Sequence, residues 1–274
     1  MRLPSLEVLD LKSNQLSGNI IEFQSRSLSI LDLSDNKLDG LIPRSIFELE
    51  NLEYLGLSFN NLSGTLDLSH NSWNGTVGPL RWKNLQYLNL RNNSLQGELP
   101  IPSPSTSYFF ISNNQFTGEI PPTICSLNSL QILDLSNNKL SGKIHQCIGN
   151  FSQNLLVLKL QNNKFHGVIP GTFSEGNVLR NLDLNGNQLE GSLPPSLLTC
   201  RELEVLDLGN NKIQDTFPNW LESLPKLQVL ILRSNKFYGE IGIPETKFPF
   251  QKLRIMDLSY NQFSGYCQQN ILNI

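Results

Sequence analysis

The residues that could do chemistry are three histidines, four cysteines and a column of aspartates. His70, His145 and His166 have no metal-ligand spacing. No serine, histidine and acid can be grouped into a nucleophilic triad. The aspartates Asp10, Asp32, Asp67, Asp134, Asp183, Asp207 and Asp257 all recur inside the same short text, leucine or another apolar residue on either side. Stacked on neighbouring strands, a pair such as Asp183 and Asp207 could hold a cation. Their alternation with apolar residues makes them the outward side of a strand, a solvated structural column. Cys125, Cys147, Cys200 and Cys267 are too few and too scattered for a disulfide scaffold or a zinc knuckle. The residues point to no catalytic group, cofactor or metal.

Asparagine is more informative than any of these. It recurs at Asn14, Asn36, Asn60, Asn71, Asn93, Asn114, Asn138, Asn163, Asn187, Asn211, Asn235 and Asn261, in steps of 21 to 26 residues apart from one of 11. Those are leucine-rich-repeat lengths. Three residues before most of these stands a leucine or isoleucine, such as Leu11, Leu135 or Leu208, and two residues earlier a second apolar residue, such as Leu9 or Leu133. That alternation is a short strand with one buried face, and stacked coils place such strands about 4.8 Å apart in a parallel sheet. The asparagine ends the strand, where its amide can pair backbone groups that would otherwise be buried unpaired at about 1–3 kcal/mol each.

After the asparagine comes L-x-G-x-[IL]-P, as in Phe116-Thr117-Gly118-Glu119-Ile120-Pro121. The glycine permits a tight bend and the proline stops a strand. The remainder, as in Phe217 to Pro225, suits a short helical turn. One register there is apolar at Leu49, Leu127, Phe151, Leu224 and Phe248, and Cys200 shares it, reading as a small buried hydrophobe. The expected fold is an α/β repeat solenoid, a curved horseshoe with a concave parallel sheet and convex 3-10 or short helical turns. Residues 1–265 make about eleven full coils and 266–274 fall off the pattern. One coil is compressed or irregular within 61–84. Too few residues separate Leu57 from Leu68 for a crossover, which favours an irregular loop or half-repeat deletion over a normal strand.

These repeats resemble the plant-specific class of leucine-rich repeats. The runs Leu206 to Pro218 and Leu230 to Gly239, with Ile124 to Leu127 and Gln146 to Ser152, are similar to the receptor-like proteins of plant disease resistance. The resemblance implies an extracellular solenoid at the cell membrane, sensing a peptide or protein elicitor and signalling through a receptor-kinase co-receptor. It also implies a signal peptide, caps, a membrane span and a cytoplasmic tail, for which this chain has no matching segment. The alternative is a soluble inhibitor of a microbial cell-wall-degrading enzyme, built from the same repeat class between its own caps.

Composition agrees with secretion. Charged residues are 16% of the chain and the net charge is -3, giving no reason to expect a nucleic-acid partner, and no apolar run is long enough to cross a membrane. Asn61, Asn74, Asn92 and Asn150 each begin an N-x-[ST] glycosylation sequon. Cys125 and Cys147 lie 11 and 9 residues after their asparagines in adjacent coils. A bridge between them is open, and the two-residue offset leaves separate thiols open too.

Candidate binding residues sit at outward strand positions, where the repeat text is free to vary. In Tyr108-Phe109-Phe110-Ile111, Phe109 and Ile111 should point inward, leaving Tyr108 and Phe110 exposed. Phe110 stands where an Asp or Asn is expected. The preceding coil offers Tyr87, Asn89 and Arg91 at matching positions. Exposed Tyr, Phe and Arg are the hot-spot chemistry of protein interfaces. Lys159, Gln161 and Arg233 are further candidates. The competing reading is drift in a degenerate repeat.

Overall fold

The computed structural model describes residues 3, 5–23, 27–43, 45–46, 49, 51, 54–57, 59–67, 69, 74–77, 84–150, 153–241 and 249–265. The chain divides into two compact units, Met1–Lys139 and Leu140–Ile274. Each is a parallel β-solenoid in which the leucine text forms strands at the expected places.

In the first unit, Val8–Asp10, Ile30–Asp32 and Tyr54–Gly56 pair in parallel. Asn84–Asn89, Tyr108–Phe110 and Ile132–Asp134 continue the pattern, with Tyr87, Tyr108 and Ile132 in register and Asn89, Phe110 and Asp134 in the next row. The inward residues Leu31, Leu88, Phe109 and Leu133 are fully buried. Each contributes about 2 kcal/mol of burial.

A second parallel ladder, not expected from the sequence, follows each asparagine. Ser17–Asn19 pairs with Lys37–Gly40, and Asn74–Thr76, Ser94–Glu98 and Gln115–Glu119 pair in turn. The glycine read as permitting a tight bend lies inside these strands: Gly118 has φ of +83°. Backbone pairing between coils carries the strand through a conformation that only glycine takes cheaply.

The segment read as compressed or irregular begins with an irregular strand. Asn61–Asp67 is one continuous strand of seven residues. Asn61 and Leu62 pair with Asp39 and Gly40 in the second ladder. Ser63 to Asp67 pair with Asn84 to Asn89, with a register shift between Gly64 and Thr65. A strand with a register shift therefore stands at Thr65–Asp67, where the sequence favoured an irregular loop or a half-repeat deletion over a normal strand. No crossover is needed, because the chain passes from one ladder to the other within a single strand. Leu68, Asn71 and Trp73, which with Gly75 and Val77 imitate the repeat text, lie outside the described residues, as does His70.

In the second unit, Val157–Lys159, Asn181–Asp183, Val205–Asp207, Val229–Ile231 and Ile255–Asp257 form the leucine-text ladder. Lys164–Gly167, Gln188–Gly191 and Lys212–Ile213 form the second, and Tyr238–Glu240 pairs with Gln262–Ser264. Short 3-10 turns return the chain, as expected for the segment after Phe217: Pro195–Thr199 buries Leu197 and Asn219–Ser223 buries Leu221. The first unit has its counterpart in Pro122–Ser126, which buries Ile124. Proline at the first turn position, Pro122 and Pro195, costs no hydrogen bond there. In the apolar register, Leu49, Leu127, Cys200 and Leu224 are buried; Phe151 and Phe248 lie outside the described residues, as do Cys267 and the off-pattern tail 266–274.

Candidate ligand-binding face

Two repeated hydrogen-bond devices hold the outward strand positions in place. The first is the asparagine. Asn114 donates from Nδ2 to the carbonyls of Leu90 at 2.8 Å and Ile111 at 3.0 Å, and its Oδ1 accepts the Leu95 N–H at 3.0 Å. One amide thus ties its own coil to the one before. Asn187, Asn211 and Asn235 repeat the arrangement in the second unit.

The second device is the aspartate column. Asp134 Oδ1 accepts the Ser136 N–H at 3.2 Å and its hydroxyl at 2.6 Å. Asp32, Asp207 and Asp257 accept the N–H two residues on in the same way. Each carboxylate closes the turn after its strand, an Asx arrangement. At Asp257 these bonds from Ser259 hold the carboxyl below its ordinary range. Among the described residues, no group of three or more acids, histidines or cysteines is placed to hold a metal.

On this scaffold the aromatic candidates of the first unit come together. Tyr87 packs against Tyr108 at 6.1 Å and Phe110 at 5.5 Å between ring centroids. The Arg91 guanidinium lies 3.9 Å over the Phe110 ring and ends 2.9 Å from Asp134 Oδ2, two coils along. Tyr108 donates its hydroxyl to Gln131 Oε1 at 2.9 Å. Aromatic pairs and a cation over a ring contribute about 0.5–2 kcal/mol each, so the cluster is pre-ordered.

That packing corrects part of the exposure expected from alternation. Phe110 is on the outward side yet only 7% exposed, because Arg91 and Tyr87 cover it. Asn89 is buried as well, donating to the Tyr87 hydroxyl at 3.3 Å and accepting the Arg91 N–H. Tyr87, Tyr108 and Arg91 are half-buried and carry the accessible surface of the cluster. Gln131 was not singled out by sequence reasoning, and Asp134 was read only as part of the structural aspartate column. Arg91 and Asp134 are 43 residues apart, and nothing in one coil's text reveals a reach across the next.

In the second unit Lys159, Gln161 and Arg233 are half-buried at outward positions and are not brought into one cluster. Gln161 Oε1 and Arg233 Nε are buried atoms without hydrogen-bond partners. Arg233 Nη1 lies 3.6 Å from Asp257 Oδ2. Of the sequon asparagines, Asn61 is exposed. Asn92 is half-buried at φ 54° and accepts from Asn113 Nδ2 at 2.6 Å. The side chains of Asn74 and Asn150 lie outside the described residues. Cys125 and Cys147 are each disulfide-bonded. Cys200 is a free, buried thiol whose pKa burial pushes up against the hydrogen bonds of Asn177 and Thr199.

Known proteins share this architecture. A sequence profile described as leucine rich repeat matches residues 5–25, 84–104, 105–127, 129–151, 154–175 and 178–200, and a second of the same description matches 21–62 and 191–237. The chain belongs to the leucine-rich-repeat family. Its repeats are similar to those of plant receptor-like proteins. Receptor-like protein 54 of Arabidopsis thaliana is 39% identical over 84% of this chain and 28% of its own length. Receptor-like protein 47 of Arabidopsis thaliana is 42% identical over 81% of this chain and 30% of its own length. The chain thus spans less than a third of the length of these curated relatives.

Among solved structures, the leucine-rich-repeat ectodomain of the plant membrane receptor kinase GASSHO1/SCHENGEN3 from Arabidopsis thaliana, in complex with CASPARIAN STRIP INTEGRITY FACTOR 2, matches with a TM-score of 0.65 and 32% identity. The match covers 97% of this chain and 37% of that one. The Arabidopsis receptor kinase HAESA, in complex with the peptide hormone IDA and the co-receptor SERK1, gives 0.64 and 31% over 96% of this chain and 50% of that one.

Proposed function

We propose that the chain is a ligand-binding part of the extracellular region of a plant cell-surface receptor-like protein. In this reading it senses a pathogen-derived peptide or protein and signals through partner receptor kinases. The observation that carries the reading is the ordered cluster of Tyr87, Tyr108 and Arg91 on the outward side of a repeat shared with receptor-like proteins. Tyrosines already held against neighbours lose little freedom when a ligand covers them, which favours affinity. Arg91, half neutralised by Asp134, offers its guanidinium face beside them. Ectodomains of similar fold bind peptide ligands, which supports the ligand class.

Three related assignments accompany this proposal. Lys159, Gln161 and Arg233 contact ligand at the outward side of the second unit. Asn61, Asn74, Asn92 and Asn150 are glycosylated on the extracellular side. Cys125 and Cys147 are bridged to one another.

The test uses a microbial peptide fraction passed over the immobilised chain. Replacing Tyr87 and Tyr108 together with alanine should lower capture at least fivefold, beyond the loss of about 1–3 kcal/mol in stability that the missing ring contacts cost and that urea unfolding measures. Phe110→Ala does not serve: its ring is buried under Arg91, so it should destabilise by about 2–3 kcal/mol. Equal capture by the double tyrosine variant and the parent chain removes this cluster from the binding surface.

A further inference from the structure

One outward row of the second unit is aliphatic apart from a single asparagine, Val157 preceding Asn181 in it. Asn181, Val205, Val229 and Ile255 are register partners on successive strands. After Asn181 this row is wholly aliphatic, with Val205 and Val229 half-buried and Ile255 53% exposed. In the adjoining row Ile231 stands between Asp207 and Asp257.

Ile231 breaks the repeat's own rule. In the same row Asp183, Asp207 and Asp257 accept the N–H two residues on, from Asn185, Gly209 and Ser259, whereas Lys159, like Ile231, supplies no carboxylate. Isoleucine cannot, so the coil gives up that turn bond and places an aliphatic side chain on an outward surface instead. A local rule broken with no structural gain marks a functional position. The same substitution type at Phe110 differs, because Phe110 is covered by Arg91 and Tyr87.

Charge decides what the shelf would accept. Asp207 and Asp257 flank Ile231, their Oδ1 atoms engaged by Asn185 and by Ser259 respectively. Arg233, the one cation beside them among the described residues of these rows, lies 3.6 Å from Asp257 Oδ2 and leaves a net negative balance. We propose that this shelf docks an extended peptide segment whose aliphatic side chains alternate with lysine or arginine. The aliphatic groups lie along Val205, Val229 and Ile255, and the cation sits over Ile231 between the two carboxylates. The assignment rests on reading this sheet as the ligand face, and narrows the ligand to a basic, aliphatic chemistry.

The experiment measures fluorescence anisotropy of three labelled hexapeptides on the immobilised full chain: valine alternating with lysine, valine with glutamate, and serine with lysine. The valine–lysine peptide should bind at least tenfold tighter than either of the others. Val229→Thr with Ile255→Thr, which keeps β-branching, should weaken it fivefold or more. Asp207→Asn, which retains an acceptor for Gly209, should weaken it about threefold and flatten its salt dependence. Equal binding of the valine–glutamate peptide overturns the proposal, as does unchanged affinity in the threonine double variant. If the double variant instead abolishes self-association of the chain and no hexapeptide saturates, the occupant is a second copy and the proposal falls. Failure of the tyrosine variants to lose capture, with the hexapeptide preference intact, overturns the first-unit cluster and leaves this shelf standing.

Discussion

Asn114 and Asn14 occupy the same position in the repeat and do unequal work. Asn114 is buried and pairs Leu90, Ile111 and Leu95, two of them in the preceding coil. Asn14 is exposed and donates only to Leu11 and Lys12 of its own turn. Asn114→Ala should therefore cost about 3 kcal/mol or more, since three buried backbone groups lose partners. Asn14→Ala should cost about 0.5 kcal/mol, as a surface change does. Urea midpoints of the two variants check this, and similar losses at both sites would mean that burial does not set the asparagine's worth. The role of each asparagine was legible from spacing alone, because a side chain at a fixed offset can only meet a fixed set of backbone groups. The Arg91–Asp134 pair was not. It joins residues on strands two coils apart, over a ring whose cover depends on the side chains of three coils at once.

At the scale of the element, the leucine strands and the 3-10 turns followed from period and proline placement, whereas the second ladder did not. Its text, as in Gln115–Glu119, contains glycine and threonine and lacks the apolar alternation that marks a buried strand. What makes it a strand is pairing with neighbouring coils, a non-local cause. The strand Asn61–Asp67 is the same lesson: its register shift lets one segment serve both ladders.

The turns between strands give a direct chemical test. Cys200 ends Pro195–Thr199 with its thiol buried and its pKa raised by desolvation. It should resist a thiol-specific reagent in the native chain and react fully in urea. Rapid labelling of the native protein at Cys200 would contradict its placement. On non-reducing peptide mapping, Cys125 and Cys147 should appear in one linked fragment, and a link from either to Cys267 would overturn the pairing proposed above.

For the whole molecule, burial is uneven along the chain. Leu88 and Leu133 in the first unit and Leu182 and Leu206 in the second are fully buried. By contrast Leu16 is 40% exposed. Leu9, Leu11, Met256, Leu258 and Phe263 remain half-buried. A repeat covers its apolar interior only against a neighbour, and unpaired strand edges invite association with another chain. The 274-residue chain produced alone is expected to elute from size-exclusion chromatography above monomer mass. Grafting polar capping repeats at both ends should bring it back to monomer. A bare chain that stays monomeric at high concentration would show that these surfaces are covered in some other way.

In the proposed function, ligand meets the outward side of the leucine-text strands at Tyr87, Tyr108 and Arg91. The most direct measurement is site-specific photocrosslinking with benzoylphenylalanine in place of Tyr108, compared with the same group in place of exposed Lys139 on the second ladder. Each protein is illuminated with the same microbial peptide fraction and the adducts are read by mass spectrometry. Saturable adducts are expected at position 108, competed by the unlabelled parent chain, and none above background at position 139. Adducts of equal yield at both positions, or at 139 alone, would contradict that proposal.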